Sequence, residues 1–280
     1  MIIGFLAILV IAVFFIVTLY LSKYSLKCTN YIVNTTKIDS KIRIVQLTDL
    51  HNSTFGKENK RLITTVREQN PDLVCITGDL LNMNQDNTDI AINLITELSK
   101  DYPVFVSLGN HEIGYPYIDS EELIETFEGA GATVLHYEFQ DLEFNGERIR
   151  IGGLYGYNLP KTNEASRYKE SEFLSDFQNT NNYKILLTHM PYGWYHAGSL
   201  DYWNVDLVLS GHTHGGQVRI PILGGLYAPD LGWFPGREKG LYYSKNKEKI
   251  MVLSTGLGST EIIPRINNIP EVAVVDIMRK

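Results

Sequence analysis

Ile42-Arg43-Ile44-Val45-Gln46-Leu47-Thr48-Asp49-Leu50-His51 is a mostly apolar run that ends in a carboxylate and, two residues on, an imidazole. The same construction recurs along the chain. Leu73–Thr77 runs into Gly78-Asp79, Val104–Leu108 into Gly109-Asn110-His111-Glu112, Lys184–Thr188 into His189, and Asp206–Ser210 into Gly211-His212-Thr213-His214. Short β-branched and aliphatic runs bounded by Gly and Asp read as strands buried on both faces. Tyr31–Ile38 reads as a strand before the turn Asp39-Ser40, and Ile250–Ser254 and Val272–Asp276 as later ones. Helical stretches at Lys60–Glu68, Asp89–Leu98 and Ser120–Glu128 fall between several of them, and this alternation predicts an α/β domain. Phe144-Asn145-Gly146-Glu147 carries the Asn-Gly signal of a two-residue hairpin, so the sheets are expected to be mixed. No repeat or internal boundary divides residues 31–280.

Every chemically capable group falls just past the carboxyl end of a strand, the edge at which open α/β sheets bind ligands. Five of the chain's seven histidines are there. In Asp-x-His and His-x-His, the two donors share one side of an extended backbone. Imidazole suits zinc, iron and manganese, and carboxylate suits harder ions; a mixed set without thiolate fits a hydrolytic centre. The only cysteines, Cys28 and Cys75, lie in unlike contexts, which excludes a thiolate zinc site and a disulfide framework. One Asp-x-His alone is ordinarily a turn. Five such groups at successive strand ends favour a metal centre.

Asp49-Leu50-His51, Gly78-Asp79-Leu80-Leu81-Asn82, Gly109-Asn110-His111-Glu112, Thr188-His189 and Gly211-His212-Thr213-His214-Gly215-Gly216-Gln217 occur in that order. Together they resemble the signature of the calcineurin-like metallophosphoesterase superfamily. The tail Ser254-Thr255-Gly256-Leu257-Gly258, with Pro264-Arg265 and Pro270-Glu271, resembles its membrane-anchored bacterial branch. The resemblance implies a four-layer α/β/β/α sandwich with two mixed sheets and two divalent metal ions (manganese, iron or zinc) at one edge. Asp49, His51, Asp79 and His214 would hold one ion, and Asp79, Asn110, His189 and His212 the other, with Asp79 bridging. A water shared by the two ions would be the nucleophile. His111, left over beside Asn110, is expected to be catalytic, either by protonating the leaving oxygen or by stabilising charge on the phosphoryl group. Asn82 stands where many members have Asp, and Met83 where the protein phosphatases continue with Arg, which disfavours a phosphoprotein substrate.

Residues 1–22 contain no charge and are long enough to span a bilayer, so they are expected to form a transmembrane anchor, followed by a short tether, 23–30, and the catalytic domain, 31–280. A cleaved leader would need a basic start and a small-residue cleavage site, and neither is present. Lys23 and Lys27 follow the span and no Lys or Arg precedes it, which places the domain on the cytoplasmic face of a single-pass membrane protein. The chain of 280 residues has 25 Lys+Arg against 32 Asp+Glu, a net charge of −7, the wrong sign for a nucleic-acid partner. Tyr192, Trp194, Tyr195, Tyr202, Trp203, Tyr227, Trp233 and Phe234 read either as an aromatic belt at the membrane interface or as packing over the sheet. The expected activity is hydrolysis of a phosphodiester or pyrophosphate bond in a membrane-associated or nucleotide-linked lipid. The alternatives are a phosphohydrolase acting on small soluble phosphoesters and a non-catalytic metal-binding scaffold.

Overall fold

The structure is a computed structural model that describes residues 2–156, 169–236, 238–259 and 264–280. Helix α1 (Ile2–Tyr24) leads into β1 (Lys27–Thr35), β2 (Ile42–Leu47), α2 (Lys60–Glu68), β3 (Leu73–Thr77), α3 (Asp89–Ser99), β4 (Val104–Ser107), the single turn α4 (Asn110–Ile113), α5 (Ser120–Gly129) and β5 (Ala132–Val134). The chain continues through β6 (Glu138–Phe144), β7 (Glu147–Leu154), α6 (Lys169–Phe177), β8 (Tyr183–Thr188), α7 (Tyr192–Tyr195), α8 (Ser199–Tyr202) and β9 (Leu207–Ser210). Three short strands follow, β10 (Arg219–Ile220), β11 (Gly224–Ala228) and β12 (Gly232–Gly236), then β13 (Gly240–Tyr243), β14 (Ile250–Leu253) and β15 (Glu271–Arg279).

Among the described residues the strands form two six-stranded sheets, ordered β1-β15-β2-β3-β4-β5 and β13-β14-β9-β8-β7-β6, and a small antiparallel sheet, β10-β11-β12. Both large sheets are mixed: β2 to β5 are parallel and so are β7, β8, β9 and β14, while β15 runs antiparallel to β2 and the pairs β6/β7 and β13/β14 are antiparallel. The Asn-Gly hairpin forms as its sequence predicts, with Asn145 (φ 51°) and Gly146 (φ 80°) between paired Phe144 and Glu147.

Period-two side chains explain why the strands read as unbroken apolar runs. On β2, Ile42 and Ile44 share a cluster with Leu73, Cys75, Ile185, Leu187, Leu207 and Leu209, drawn from both large sheets. The intervening Val45 and Leu47 pack instead with Leu62 and Val66 of α2, Leu94 and Leu98 of α3 and Phe127 of α5. On the second sheet, Leu186 and Val208 turn away from the shared cluster toward Phe173 and Phe177 of α6. Cys75 is sealed in the shared cluster and burial pushes its thiol far up, while Cys28 sits on β1, and both are free thiols.

The start of the domain differs from the sequence expectation. α1 continues to Tyr24 and β1 begins at Lys27, so two residues, not the eight of 23–30, separate helix from sheet. β15 is the reason: it pairs in parallel with β1 from Lys27↔Glu271 to Thr35↔Arg279, which recruits the polar segment Lys27–Asn30 into the sheet. The end of α1 is also tied to the body. The Asn268 N–H donates to Ser22 Oγ at 3.0 Å, and Arg61 donates to the Tyr24 carbonyl. The 21 residues Gly4–Tyr24 are long and apolar enough to cross a membrane, and most of their large side chains are exposed.

Candidate metal centre

The carboxyl ends of β2, β3 and β4 in one sheet and of β8 and β9 in the other meet at one place. Cross-sheet bonds fix the meeting. The His212 N–H donates to both oxygens of Asp49 (3.0 and 3.1 Å), His189 Nδ1 faces the Thr77 carbonyl at 2.8 Å, and the Gln46 amide bridges Thr77 Oγ1 and the Ser210 carbonyl. Asp49, His51, Asp79, Asn110, His189, His212 and His214 all come together there, with His111 beside them. Three groups of donors lie within 4.8 Å of one another: Asp49, His51 and His214; His51, Asp79 and His111; and Asp79, His189 and His212.

Five of these residues have left-handed backbones: Asp49 (φ 52°), His51 (48°), Asp79 (55°), His212 (73°) and His214 (48°). Non-glycine residues seldom adopt this region, and its cost is retained where a site requires the geometry. The glycines in the motifs have a different reason. A Cβ on Gly109 would lie 2.2 Å from Asp79 Oδ1, and one on Gly211 would lie 2.1 Å from Thr48 Oγ1 and 2.7 Å from Asp49 Oδ2.

The imidazoles identify what the cluster is built to hold. His51 Nδ1 lies 3.2 Å from the Leu81 carbonyl, His189 Nδ1 2.8 Å from that of Thr77, and His214 Nδ1 3.2 Å from that of Gly258. His212 is reversed: its Nε2 meets Asp230 Oδ2 at 3.0 Å. In its neutral form each ring donates its proton outward and turns a lone pair inward, and His189 reaches that form only on losing the second proton that Asp79 favours. The inward nitrogens face one another, His51 Nε2 to His214 Nε2 at 3.3 Å and His189 Nε2 to His212 Nδ1 at 3.1 Å. Where both rings are neutral, as in the His51–His214 pair, two lone pairs so placed repel unless a cation lies between or beside them. Asp79 Oδ2 sits centrally, 3.2 Å from His189 Nε2 and 3.6 Å from His51 Nε2, and Asn110 Oδ1 is 3.1 Å from His189 Nε2. This donor set fits divalent metal ions.

Electrostatics without the ions make the same point. Burial alone would raise Asp79, but the charge and hydrogen bond of His189 and the charges of His51 and His111 hold it well below the usual carboxylate range. Against burial, Asp79 lifts His189 to about 9. Burial pushes His51 down to about 3 and His214 well below the usual imidazole value, so these two rings stay neutral and ready to ligate. Asp49 is raised, by burial first and by Asp79 second, against the pull of His189 and His212.

Sequence reasoning did not assign three further residues. Glu112 is fully buried and accepts from the N–H groups of Asp79 (2.7 Å), Gly109 (2.8 Å) and Leu81 (2.9 Å), which ties the β3 loop to the β4 loop; burial and Asp79 push it up to about 7. Asp230 orients His212 from the β11–β12 turn. The buried Arg265 donates to the carbonyls of Gly258 (2.8 Å) and Thr255 (2.6 Å) behind His214. Glu112 lies within a quoted motif and could have been singled out. Arg265 lies within the quoted tail pattern but was given no role there, and no local pattern marks Asp230; the two act across 51 and 18 residues of chain.

The aromatic residues divide. Trp194 and Trp203 are buried against α6 and the second sheet and line no mouth, because their rings complete that core. Tyr192 stands at the centre itself, its ring edge-on to His212 at 5.7 Å and its hydroxyl bonded to the Pro229 carbonyl. Trp233 and Phe234 are exposed on β12.

Comparison with known proteins agrees with this geometry. The family described as calcineurin-like phosphoesterase matches residues 42–216. The chain is 28% identical over 250 residues to an uncharacterized metallophosphoesterase, YkoQ, of Bacillus subtilis, covering 86% of this chain and 88% of that one. It is 29% identical over 271 residues to an uncharacterized metallophosphoesterase of Aquifex aeolicus, covering 93% and 95% of the two chains. It is also 29% identical over 269 residues to YkuE of Bacillus subtilis, covering 91% and 86%. With ligand-bearing loops at five strand ends inside the matched region, the chain belongs to the calcineurin-like phosphoesterases and is a metal-dependent phosphoesterase.

Proposed function

We propose that the protein is a membrane-anchored phosphohydrolase that cleaves a phosphodiester or pyrophosphate bond in a lipid-linked or otherwise membrane-associated substrate. On this reading residues 1–22 cross the bilayer, Lys23 and Lys27 hold the domain on the cytoplasmic side, and the two large sheets stack between outer helices in four layers. Asp49, His51, Asp79 and His214 hold one divalent ion, and Asp79, Asn110, His189 and His212 the other. Manganese, iron and zinc all suit these donors. Such a pair of ions supplies Lewis-acid polarisation of phosphoryl oxygens and activation of water.

The protein's own groups do the rest. Glu112 ties the loops that carry Asp79 and Asn110, and the outward bonds to carbonyls and to Asp230 orient the candidate ligand rings, so the donors need little rearrangement to receive phosphate. His111 faces the cluster with Nε2 4.0 Å from Asp79 Oδ2, while its Nδ1 accepts the Met83 N–H at 3.0 Å. The ring proton therefore sits on Nε2. Burial lowers this ring's pKa, against Asp79, which favours the neutral form. A neutral Nε2–H donates a hydrogen bond to a phosphoryl oxygen; full proton transfer would require a second proton on Nδ1, opposite an N–H that already points at it. Of the two roles expected for His111, charge stabilisation is the one these contacts support. Asn82 has no part in holding His111, since its side chain accepts from the Asn84 N–H.

The observation that carries the lipid reading is the position of α1. A cavity of about 470 Å³ is lined by Leu19, Tyr20 and Tyr24 of α1 and by Phe55, Gly258 and Arg265. Gly258 is the residue whose carbonyl faces His214. The end of a bilayer-spanning helix would thus lie one layer of residues from the metal ligands, at the depth of lipid headgroups. Turnover by the full-length protein with manganese, compared between bis-p-nitrophenyl phosphate and nucleotide-linked lipids in mixed vesicles, tests the proposal. Preference for the lipid is expected. Equal turnover of small soluble monoesters would instead favour the general phosphohydrolase.

A further inference from the structure

Outside α1, the most exposed large apolar side chains among the described residues share one element. Ile222 (106%) and Leu223 (67%) form the β10–β11 turn, and Trp233 (61%) and Phe234 (68%) lie on β12. Nothing in the fold requires them there. Ile222 has φ +73° and Phe234 φ +57°, left-handed backbones that are genuine outliers for a β-branched or bulky residue. Asn or Gly would hold these turns with less strain. The chain thus retains strained apolar residues that gain no packing within it.

The turn lies beside the point where α1 leaves the body. Asn268 donates to Ser22 of α1, the neighbouring Asn267 donates to the Arg219 carbonyl at 3.0 Å, and Val218 bridges to Ile266. A cavity of about 640 Å³ is lined by Ile222 and Leu223 of the turn, by Asn268 and by Lys27, Arg219 and Lys239. Among the described lining residues Lys27, Arg219 and Lys239 outnumber one carboxylate, Glu271, which accepts from the Tyr31 hydroxyl (2.9 Å), the Ser254 hydroxyl (3.1 Å) and the Thr255 N–H (2.7 Å) and, with Glu238 nearby, acts on Arg219. A cationic hollow flanked by protruding aliphatic side chains matches the boundary of an anionic bilayer, where headgroups meet acyl chains.

We propose that the β10–β12 sheet is a second membrane contact: the Ile222-Leu223 turn enters the acyl boundary, and Lys27, Arg219 and Lys239 receive an anionic phospholipid headgroup. This inference rests on the reading of α1 as the anchor and adds a second point of attachment. Two points fix the tilt of the body, which one helix cannot do. The β11–β12 turn at the other end of the same sheet carries Asp230, so a docked sheet would hold the partner of His212 at a set height above the bilayer.

The test uses the full chain reconstituted in phosphatidylcholine–phosphatidylglycerol vesicles in which part of the phosphatidylcholine has brominated acyl chains. Trp194 and Trp203 are core residues and give a constant background. Ile222→Trp in a Trp233→Phe chain supplies a reporter at a fully exposed position, and Trp233 of the unsubstituted chain, paired with Tyr227 near the opposite end of the sheet, gives a depth comparison that should be quenched less. Bromine should quench the Ile222→Trp signal at least twofold, and replacing phosphatidylglycerol by phosphatidylcholine should reduce that quenching. An unquenched Ile222→Trp signal in protein whose α1 resists carbonate extraction would overturn the second contact and leave the anchor intact. Extraction by carbonate would overturn the anchor reading itself. Blue-shifted but unquenched reporters, with chains that cross-link to one another through this sheet, would assign the surface to a second copy and refute the proposal.

Discussion

Replacing His111 by Ala separates two kinds of catalysis that the same imidazole could perform. The Met83 N–H contact at 3.0 Å leaves the ring one inward donor, Nε2–H, in a site where the residue is 8% exposed. Removing one pre-organised donor of this kind costs about 10²–10³ in kcat, or roughly 3–4 kcal/mol. Because the donor stabilises charge on the phosphoryl group and does not surrender its proton, the loss should be nearly the same for a nitrophenyl and for an alkyl leaving group. The assay is a leaving-group series of phosphodiesters, with kcat compared between wild type and His111→Ala at saturating manganese and metal content measured on the same samples. His111→Asn, which keeps an N–H donor on a shorter stem, should recover part of the rate. An effect at least about 30-fold smaller for nitrophenyl esters would show proton transfer to the leaving group. That result would refute the tautomer argument. A drop in bound metal would refute it differently, by making His111 a ligand, as its proximity to His51 and Asp79 permits.

Asp79→Asn removes one charge from the oxygen that faces both His51 and His189, so metal analysis should fall from two ions per chain to one or fewer while circular dichroism stays unchanged; two retained ions would refute the shared bridge. Metal uptake at pH 7 should release about one proton, because His189, near 9 without metal, is protonated there and must give up its proton to ligate, whereas His51 and His214 are already neutral. Affinity at its ligands should therefore rise about tenfold per pH unit until pH approaches 9, and calorimetry in buffers of different ionisation heat reads the release; none at pH 7 would refute an ion pair between His189 and Asp79. Asp276 is held below the usual carboxylate range by the Arg43 hydrogen bonds (2.7 and 2.9 Å), with Lys41 adding at 2.8 Å. Its folded pKa is depressed, so its contribution, about 1 kcal/mol for a partly exposed pair, is present above about pH 4 and is lost as pH falls through the folded value. Asp276→Asn should accordingly lower the urea midpoint at pH 7, by an amount that shrinks as pH falls below about 4.

What the sequence makes legible follows from which interactions are local. Strand β3 is read to the residue, and α2 likewise, because Leu73–Thr77 is bounded by turn residues and Leu62, Ile63 and Val66 recur at helical spacing. The seven ligand candidates are legible because each follows a strand end within one to four residues. What escapes depends on partners far along the chain. Lys27–Asn30 has no strand pattern of its own and becomes β1 only because Glu271–Val274 lies beside it. Trp194 looks like an interfacial ring until the space beneath α6 is seen to need filling.

Asp230 is the instructive case. It is a half-exposed acid in a turn, a composition typical of any surface loop, and its meaning comes from a single contact with His212 Nε2. That contact turns Nδ1 of His212 toward the cluster, while His51, His189 and His214 turn Nε2 inward. Reversing one ring brings a fourth nitrogen to the cluster from the same β9 loop that supplies His214. The small β10–β12 sheet is therefore part of the centre's construction, though none of its residues was marked as a ligand. The orientation of one imidazole is set by an element that also faces outward through Trp233 and Phe234.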